Sequence, residues 1–437
     1  MYRKEVNYRP MFDGVDLTIK LGDGAYATPI CFDNGATTPP FKCVDREIFK
    51  HMQMYGSIGR GKGPKSEYSN RVYEKCRDYV KEYFNLKDDD RYTVIFTKNT
   101  TEGINLLANA LINSKYDKVI TTRMEHHAND LPWRYNANVI YIDVDDQGKL
   151  KLDDIEEQLI KNRGEVKFIS VTGASNVTGY VNPIHHIAKL AHKYGAKIIV
   201  DAAQLAPHRE INMKGTGNND SIDFLVLSAH KMYAPYGTGV VVGLKSDLED
   251  KEPFLKGGGA VDLVFDYDIY WSELPSRFEA GTPNYLGVVA LYTAMNKLKE
   301  IGFDKIQEHE ELLKNRLIKG LEDIDRVVLY GDSNDKDRLG VITFNVDGIN
   351  FDSVADRLSY IRGIAVRQGA FCAHTYVRRL LGIDDAEAQK LLNRDCKAAG
   401  MVRASLGLYN TTEEVDEFLN TMEFMINRCR HFENNII

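Results

Sequence analysis

The chain is 437 residues long, 43% of them hydrophobic and 27% charged, with a formal net charge of −7. That length exceeds the roughly 250–300 residues one core holds and suits a large domain with a smaller companion, and the composition is that of a globular protein rather than a disordered one. The negative charge argues against a nucleic-acid partner, whose phosphates need clustered Lys and Arg. No run of about 18 apolar residues is present to span a bilayer, so a membrane protein is not expected either.

In chain order, Met1-Tyr2-Arg3-Lys4-Glu5 is charged with no apolar segment behind it, which favours a cytoplasmic protein. The six cysteines (Cys31, Cys43, Cys76, Cys372, Cys396 and Cys429) lack C-x-x-C spacing, so neither a disulfide framework nor a zinc cage is suggested. Gly56-Ser57-Ile58-Gly59-Arg60-Gly61-Lys62-Gly63 approaches a P-loop. However, Gly63 stands where Ser or Thr would hold magnesium and no clear strand precedes it, so it reads as an active-site or dimer-interface loop.

From about residue 90, β-branched runs alternate with helical patterns, the signature of a mostly parallel sheet covered by helices. Tyr92–Phe96 reads as a strand and Ile104, Leu107, Ala108 and Leu111 as the apolar face of a helix entered through an Asn99-x-x-Glu102 capping pattern. Val119–Thr122 and Val166–Val171 are further strands. A helix through Ile184, Ile187, Ala188 and Ala191 stops at Gly195, and the strand Lys197–Val200 runs into Asp201. Phe224–Leu227 leads into Ser228-Ala229-His230-Lys231, with Gly239–Gly243 its expected neighbour. Polar residues thus collect at strand ends, where open α/β sheets bind ligands. Beyond Gly281-Thr282-Pro283-Asn284 one long helix is expected from Leu286 past Leu317, then a strand over Gly340–Val346 and helices over Phe351–Tyr360 and Glu413–Arg428. The expected domains are a large α/β unit over 30–285 and a small α+β unit made of 1–29 with 286–437.

Asp201 and Lys231 stand on adjacent predicted strand ends, a pairing suited to pyridoxal 5′-phosphate (PLP). The amine makes a Schiff base, and the carboxylate keeps the pyridine nitrogen protonated so that the ring can act as an electron sink. The start of the helix at Asn99-Thr100-Thr101-Glu102-Gly103 offers free N–H groups to a phosphate, although the same pattern also serves as a plain capping box. His126, in Glu125-His126-His127-Ala128-Asn129, falls at the sheet's ligand edge. No G-x-G-x-x-G occurs, and the pairs His126-His127 and His185-His186 lack the i, i+4 arrangement of a helical zinc site.

With Ser175-Asn176-Val177-Thr178-Gly179, Asp201-Ala202-Ala203-Gln204 and Arg277-Phe278-Glu279-Ala280-Gly281-Thr282-Pro283-Asn284, these segments resemble the class V aminotransferases, most closely the cysteine desulfurase and selenocysteine lyase group. The resemblance runs from Phe32-Asp33-Asn34-Gly35-Ala36-Thr37-Thr38 to Leu408-Tyr409-Asn410-Thr411. It implies the fold type I of PLP-dependent transferases, with Lys231 as the Schiff-base lysine, Asp201 on the pyridine nitrogen, Gln204 at the ring hydroxyl, His126 stacked on the ring and Asn176 beside ring and substrate. It assigns the phosphate to Thr100, Thr101, Ser228 and His230, with Thr282 reaching across from the second subunit of a homodimer.

Arg367-Gln368-Gly369-Ala370-Phe371-Cys372-Ala373 is similar to the segment that carries the nucleophilic cysteine of desulfurases, and Arg403 matches the arginine that clamps the substrate α-carboxylate. The implied activity takes L-cysteine to L-alanine with a persulfide on Cys372, for onward transfer to an acceptor protein, as in iron–sulfur cluster assembly. The alternative is a selenocysteine lyase, aminotransferase, epimerase or eliminating lyase in which Cys372 is not the acceptor. Two features depart from the group. Gly59 stands where similar desulfurases have a histidine, and the stretch from Arg378 to Gly400 is longer and more charged.

Overall fold

The computed structural model describes residues 6–22, 24–393 and 399–434; the charged residues 1–5 and Cys396 lie outside them. At its centre is a sheet of β1 (Tyr92–Thr97), β2 (Lys118–Thr122), β3 (Asn138–Ile142), β4 (Val166–Thr172), β5 (Lys197–Asp201), β6 (Phe224–Ser228) and β7 (Gly239–Leu244), in the spatial order β1-β7-β6-β5-β4-β2-β3. From β6 to β3 all neighbours are parallel, and only β7 is reversed, running antiparallel to both β6 and β1. Central strands are buried on both faces, which is why they read as continuous apolar runs rather than alternating ones. In β6, Leu225 and Leu227 enter one core and Phe224 and Val226 the other, on the opposite face. The parallel strands deliver Thr122, Thr172, Asp201 and Ser228 to one edge.

Helices α1 (Lys42–Gln53), α2 (Pro64–Tyr83), α3 (Thr100–Leu111), α4 (Ile184–Lys193) and α5 (Tyr285–Ile301) complete this unit, with α3 and α4 on the sheet and α1 and α2 packed on α5. The second unit is an antiparallel sheet of β8 (Val327–Tyr330), β9 (Val341–Val346), β10 (Arg367–Gly369) and β11 (Met401–Ser405), in the order β8-β9-β11-β10. Its core joins Leu313 and Leu317 of α6 (Phe303–Asp323), Val354 of α7 (Phe351–Arg362) and Phe418 of α8 (Thr412–Asn434) to Phe344 and Val402 of the sheet.

The single long helix expected beyond Leu286 is two helices. Gly302, at φ 90°, ends α5 and starts α6, a backbone that only glycine adopts without strain. The cores divide one turn beyond this break, after Ile306 of α6. Val288, Leu291 and Leu298 of α5 pack into the large unit, whereas Leu313 and Leu317 pack into the small one. We therefore propose the domain boundary at Gly302 rather than at 285/286. The segment before residue 30 is likewise shared. Phe12 packs in the large core, its ring 4.6 Å from that of Phe41 and 5.1 Å from that of Tyr233, while Ile30 belongs to the small one. Among the described residues no helix is long and apolar enough to cross a membrane.

Candidate active site

The strand ends converge with loops of the small unit on a cavity of about 340 Å³, lined among others by Thr100, Thr101, His126, Asn176, Asp201, Gln204, Ser228, His230, Lys231, Phe371, Cys372 and Arg403. Its floor belongs to the large sheet. Asp201 closes β5 and accepts a hydrogen bond from the N–H of Ala203 at 2.9 Å. Burial pushes its carboxyl upward, against the pull of Lys231, so a cationic group opposite it would restore the charge. Lys231 follows β6 on a single helical turn. Burial lowers its amine to about 8, although Asp201 works in the other direction. Gln204 is fixed by donating from Nε2 to the carbonyl of Gly35 at 2.6 Å.

His126 leaves the end of β2 and turns back so that its Nδ1 accepts from the N–H of Ala128 at 3.0 Å, leaving the ring proton on Nε2. Burial, then Lys231, hold this imidazole down at about 3, so it is neutral throughout the working range. The turn itself is anchored by Glu125, fully enclosed beneath it. Its Oε1 accepts from Thr122 Oγ1 at 2.7 Å and the Thr172 N–H at 3.0 Å, and its Oε2 from Asn129 Nδ2 at 2.7 Å.

On the opposite wall, Asn99 caps α3 by accepting from the N–H of Glu102 at 2.9 Å. Two glycines let this helix start press onto the sheet. A Cβ on Gly103 would lie 2.6 Å from Val226 Cγ1, and one on Gly239 would lie 2.6 Å from Asn99 Cα. Ser228 Oγ takes the N–H of Thr100 at 2.8 Å and pairs with its hydroxyl at 2.8 Å, which fixes the helix start beside His230.

The roof comes from the small unit. Arg403 on β11 is buried (3% exposed), donates from Nη1 to the carbonyl of Asn176 at 2.8 Å and lies 3.2 Å from Asp33 through Nη2. Its Nε has no partner among the described residues. Directly across the strand pair, Arg367 meets the other oxygen of Asp33 at 2.8 Å. Cys372 sits exposed at the mouth, its carbonyl held by the N–H of His127 at 2.7 Å. Of the other cysteines, Cys31, Cys43 and Cys76 are free thiols away from this cavity, and the side chain of Cys429, like Cys396, lies outside the described residues.

Eleven of the twelve expected site residues thus share one cavity, and Thr282 does not. Thr282 is exposed and lines a separate open concavity of about 810 Å³ with Gly59, Arg60, Gly258 and Gly259. The P-loop-like segment lies there too, between α1 and α2 with no strand before it. Sequence reasoning assigned no role to Asp33, Glu125, Arg367 or Phe371, although all four lie inside the quoted motifs; what they do depends on partners far along the chain.

The Aminotransferase class-V family model matches residues 30–418. The chain belongs to the class-V aminotransferase family. Among curated members, it is 32% identical over 403 residues to a probable cysteine desulfurase of Halalkalibacterium halodurans, covering 90% of this chain and 92% of that one. It is 33% identical to a cysteine desulfurase of Haloferax volcanii, covering 91% and 89%. Among solved structures, a cysteine desulfurase from Thermococcus onnurineus superposes with a TM-score of 0.81 at 34% identity, covering 91% of this chain and 95% of that one. The cysteine desulfurase CsdA of Escherichia coli, in an S-sulfonic acid form, gives 0.79 at 25%, covering 96% and 98%. This class-V aminotransferase fold therefore has PLP-dependent relatives, and its cavity fits that cofactor: an amine of lowered pKa, a buried carboxylate, a neutral imidazole and a helix start all face one space.

Proposed function

We propose that the protein is a PLP-dependent cysteine desulfurase that converts L-cysteine to L-alanine and retains the sulfur as a persulfide on Cys372. The observation that carries this reading is the exposed Cys372 thiol on the rim of the cavity whose floor holds Lys231 and Asp201 and whose roof holds Arg403. Lys231 would hold PLP, with Asp201 at its ring nitrogen, Gln204 at its hydroxyl, His126 and Asn176 against the ring and Thr100, Thr101, Ser228 and His230 at the phosphate. Bound there, the cofactor supplies an electron sink for the substrate's α-carbon.

The chain's own residues do the rest. Arg403 binds the α-carboxylate of the amino acid, for which its unpartnered Nε and the adjacent Nη2 make a bidentate edge. Lys231, its amine lowered to about 8, accepts the α-proton and returns it to the α-carbon, while the second proton, on the carbon that becomes the methyl of alanine, is the one given up by the two thiols as they become a persulfide. The Cys372 thiolate attacks the substrate sulfur. The carbon–sulfur bond breaks as the sulfur–sulfur bond forms, giving one alanine and one protein persulfide per cysteine.

The same reading makes the protein a homodimer. Thr282, exposed and outside its own chain's cavity, serves the phosphate of the partner. A hairpin beside it (Val261–Val264 and Ile269–Trp271) bares Leu263, Val264, Phe265, Tyr267, Ile269 and Tyr270, an apolar patch of the kind that marks an interface. Among the described residues, the free thiols of Cys31, Cys43, Cys76 and Cys372 suit a reducing cytoplasm, and a thiol-bearing acceptor protein, such as one that builds iron–sulfur clusters, would take the persulfide.

The test is a single turnover of PLP-loaded protein with L-cysteine. Alanine and a persulfide mapped to Cys372 by mass spectrometry are expected, and Cys372→Ala should keep the cofactor and lose the persulfide. Cysteine-independent turnover of another amino acid, unaffected by Cys372→Ala, would instead identify a different class-V enzyme.

A further inference from the structure

The roof of the cavity is a closed ring of three residues. Arg403 Nη1 donates to the backbone carbonyl of Asn176 at 2.8 Å, Asn176 Nδ2 donates to the backbone carbonyl of Phe371 at 2.8 Å, and the Phe371 ring returns to Arg403, its centroid 5.1 Å from the guanidinium carbon. The ring is buried: Phe371 is 8% exposed, Asn176 6% and Arg403 3%. Within it the Arg403 Nε has no partner among the described residues, an unusual state for a buried guanidinium donor. Arg403 is thus covered by an aromatic face that accepts no classical hydrogen bond, so a carboxylate would be favoured in its place.

Phe371 is also one of two successive non-glycine residues in the left-handed region, at φ 52°, and the other is Cys372, at φ 54°. Such a conformation is sterically disfavoured for any residue with a Cβ and persists where surrounding contacts impose it. Here those contacts are the Asn176 bond on Phe371 and the His127 N–H on the Cys372 carbonyl at 2.7 Å. Cys372 is exposed on the rim of the cavity, whereas the sulfur it must attack would lie deeper, between Lys231 and Arg403.

We propose that Phe371 is a positioning residue that couples occupancy of the Arg403 clamp to the placement of Cys372. An α-carboxylate entering on the Nε edge displaces the Phe371 ring. The adjacent left-handed pair then relaxes, and Cys372 turns from the rim toward the substrate sulfur. This rests on Arg403 as the carboxylate site and Cys372 as the nucleophile. It goes further in making substrate binding, rather than loop mobility alone, the event that brings in the nucleophile. Phe371 itself touches no reacting atom.

The test uses the PLP-loaded protein with L-alanine, which carries the α-carboxylate and no sulfur, and measures the rate of iodoacetamide alkylation of Cys372. In the wild type, saturating L-alanine is expected to slow alkylation about threefold or more as the thiol moves inward. In Phe371→Leu the rate should be indifferent to L-alanine, and Phe371→Tyr should restore the response. Without the aromatic cover, L-alanine and L-cysteine should bind Phe371→Leu about fivefold more tightly, the equivalent of one cation–π contact, while kcat for persulfide formation falls. Equal protection of wild type and Phe371→Leu, or a Phe371→Leu that binds more weakly, overturns the coupling. A wild type that forms no Cys372 persulfide from L-cysteine overturns the desulfurase reading instead, so the two failures are told apart.

Discussion

Lys231 is an amine in a poorly solvated floor, and its proton governs what the empty site can do. Its pKa in the folded chain is about 8 against 10.5 when free, so between those values the folded state binds fewer protons than the unfolded one. Stability of the cofactor-free protein from this group therefore rises as pH climbs from about 8 to 10.5. Lys231→Met is expected to be more stable than wild type at pH 7.5, by up to about 3 kcal/mol, with the gap closing near pH 10.5 in urea titrations. The rate of PLP capture by the cofactor-free protein, followed by absorbance, should rise with pH through about 8 because the neutral amine is the nucleophile. A midpoint near 10.5 would show that burial does not tune this lysine. That Lys231, Asp201 and His126 would meet in one cavity was readable because each stands in a short motif at a strand end. The partners of Arg403 were not, since Asp33 and Asn176 lie far from it in the chain and only the folded chain brings them together.

At the level of elements, the wall proposed to hold the phosphate depends on how closely α3 approaches the sheet. Gly103 is the residue that permits the approach, since any Cβ there would meet Val226 at 2.6 Å and Val241 Cγ2 at 2.9 Å. Gly103→Val is expected to destabilise the fold by about 2–3 kcal/mol through overpacking. It should also lift Thr100 from Ser228 and shift Thr101 with it, so that PLP would be retained by Lys231 but its phosphate held loosely. Faster loss of cofactor on dialysis against a competing amine checks this, and unchanged retention would place the phosphate elsewhere. The strands of this sheet were legible as unbroken apolar runs, and α3 from its cap. The break at Gly302 was not, because apolar spacing continues across it and one glycine costs a helix only about 1 kcal/mol. Its positive φ, visible only in the structure, makes it a break rather than a weak spot.

For the molecule as a whole, the position of Thr282 turns the expected dimer into a sharp prediction. If Thr282 serves the partner's phosphate, mixing a Lys231→Ala chain with a Thr282→Ala chain should restore one intact site per mixed dimer. Each mixed dimer would then carry one site of wild-type PLP affinity, and statistical reassortment of equal amounts would recover about a quarter of wild-type activity, where either parent alone is impaired. No recovery would mean that Thr282 acts within its own chain or not at all. The sequence did not reveal that the apolar hairpin beside Thr282 would be bare, because alternating and aromatic residues there read equally well as buried strand. The two halves of the site also stand on opposite sides of Gly302: the floor of Asp201 and Lys231 before it, and the roof of Cys372 and Arg403 after it. A ribosome working at roughly 5–20 residues per second finishes the sheet that carries the lysine about 8–30 seconds before Arg403 has been made. During that interval the nascent chain would have the lysine proposed to hold an aldehyde but not the guanidinium proposed to grip an amino acid, so the order of synthesis leaves room for the cofactor to enter before any substrate can be held.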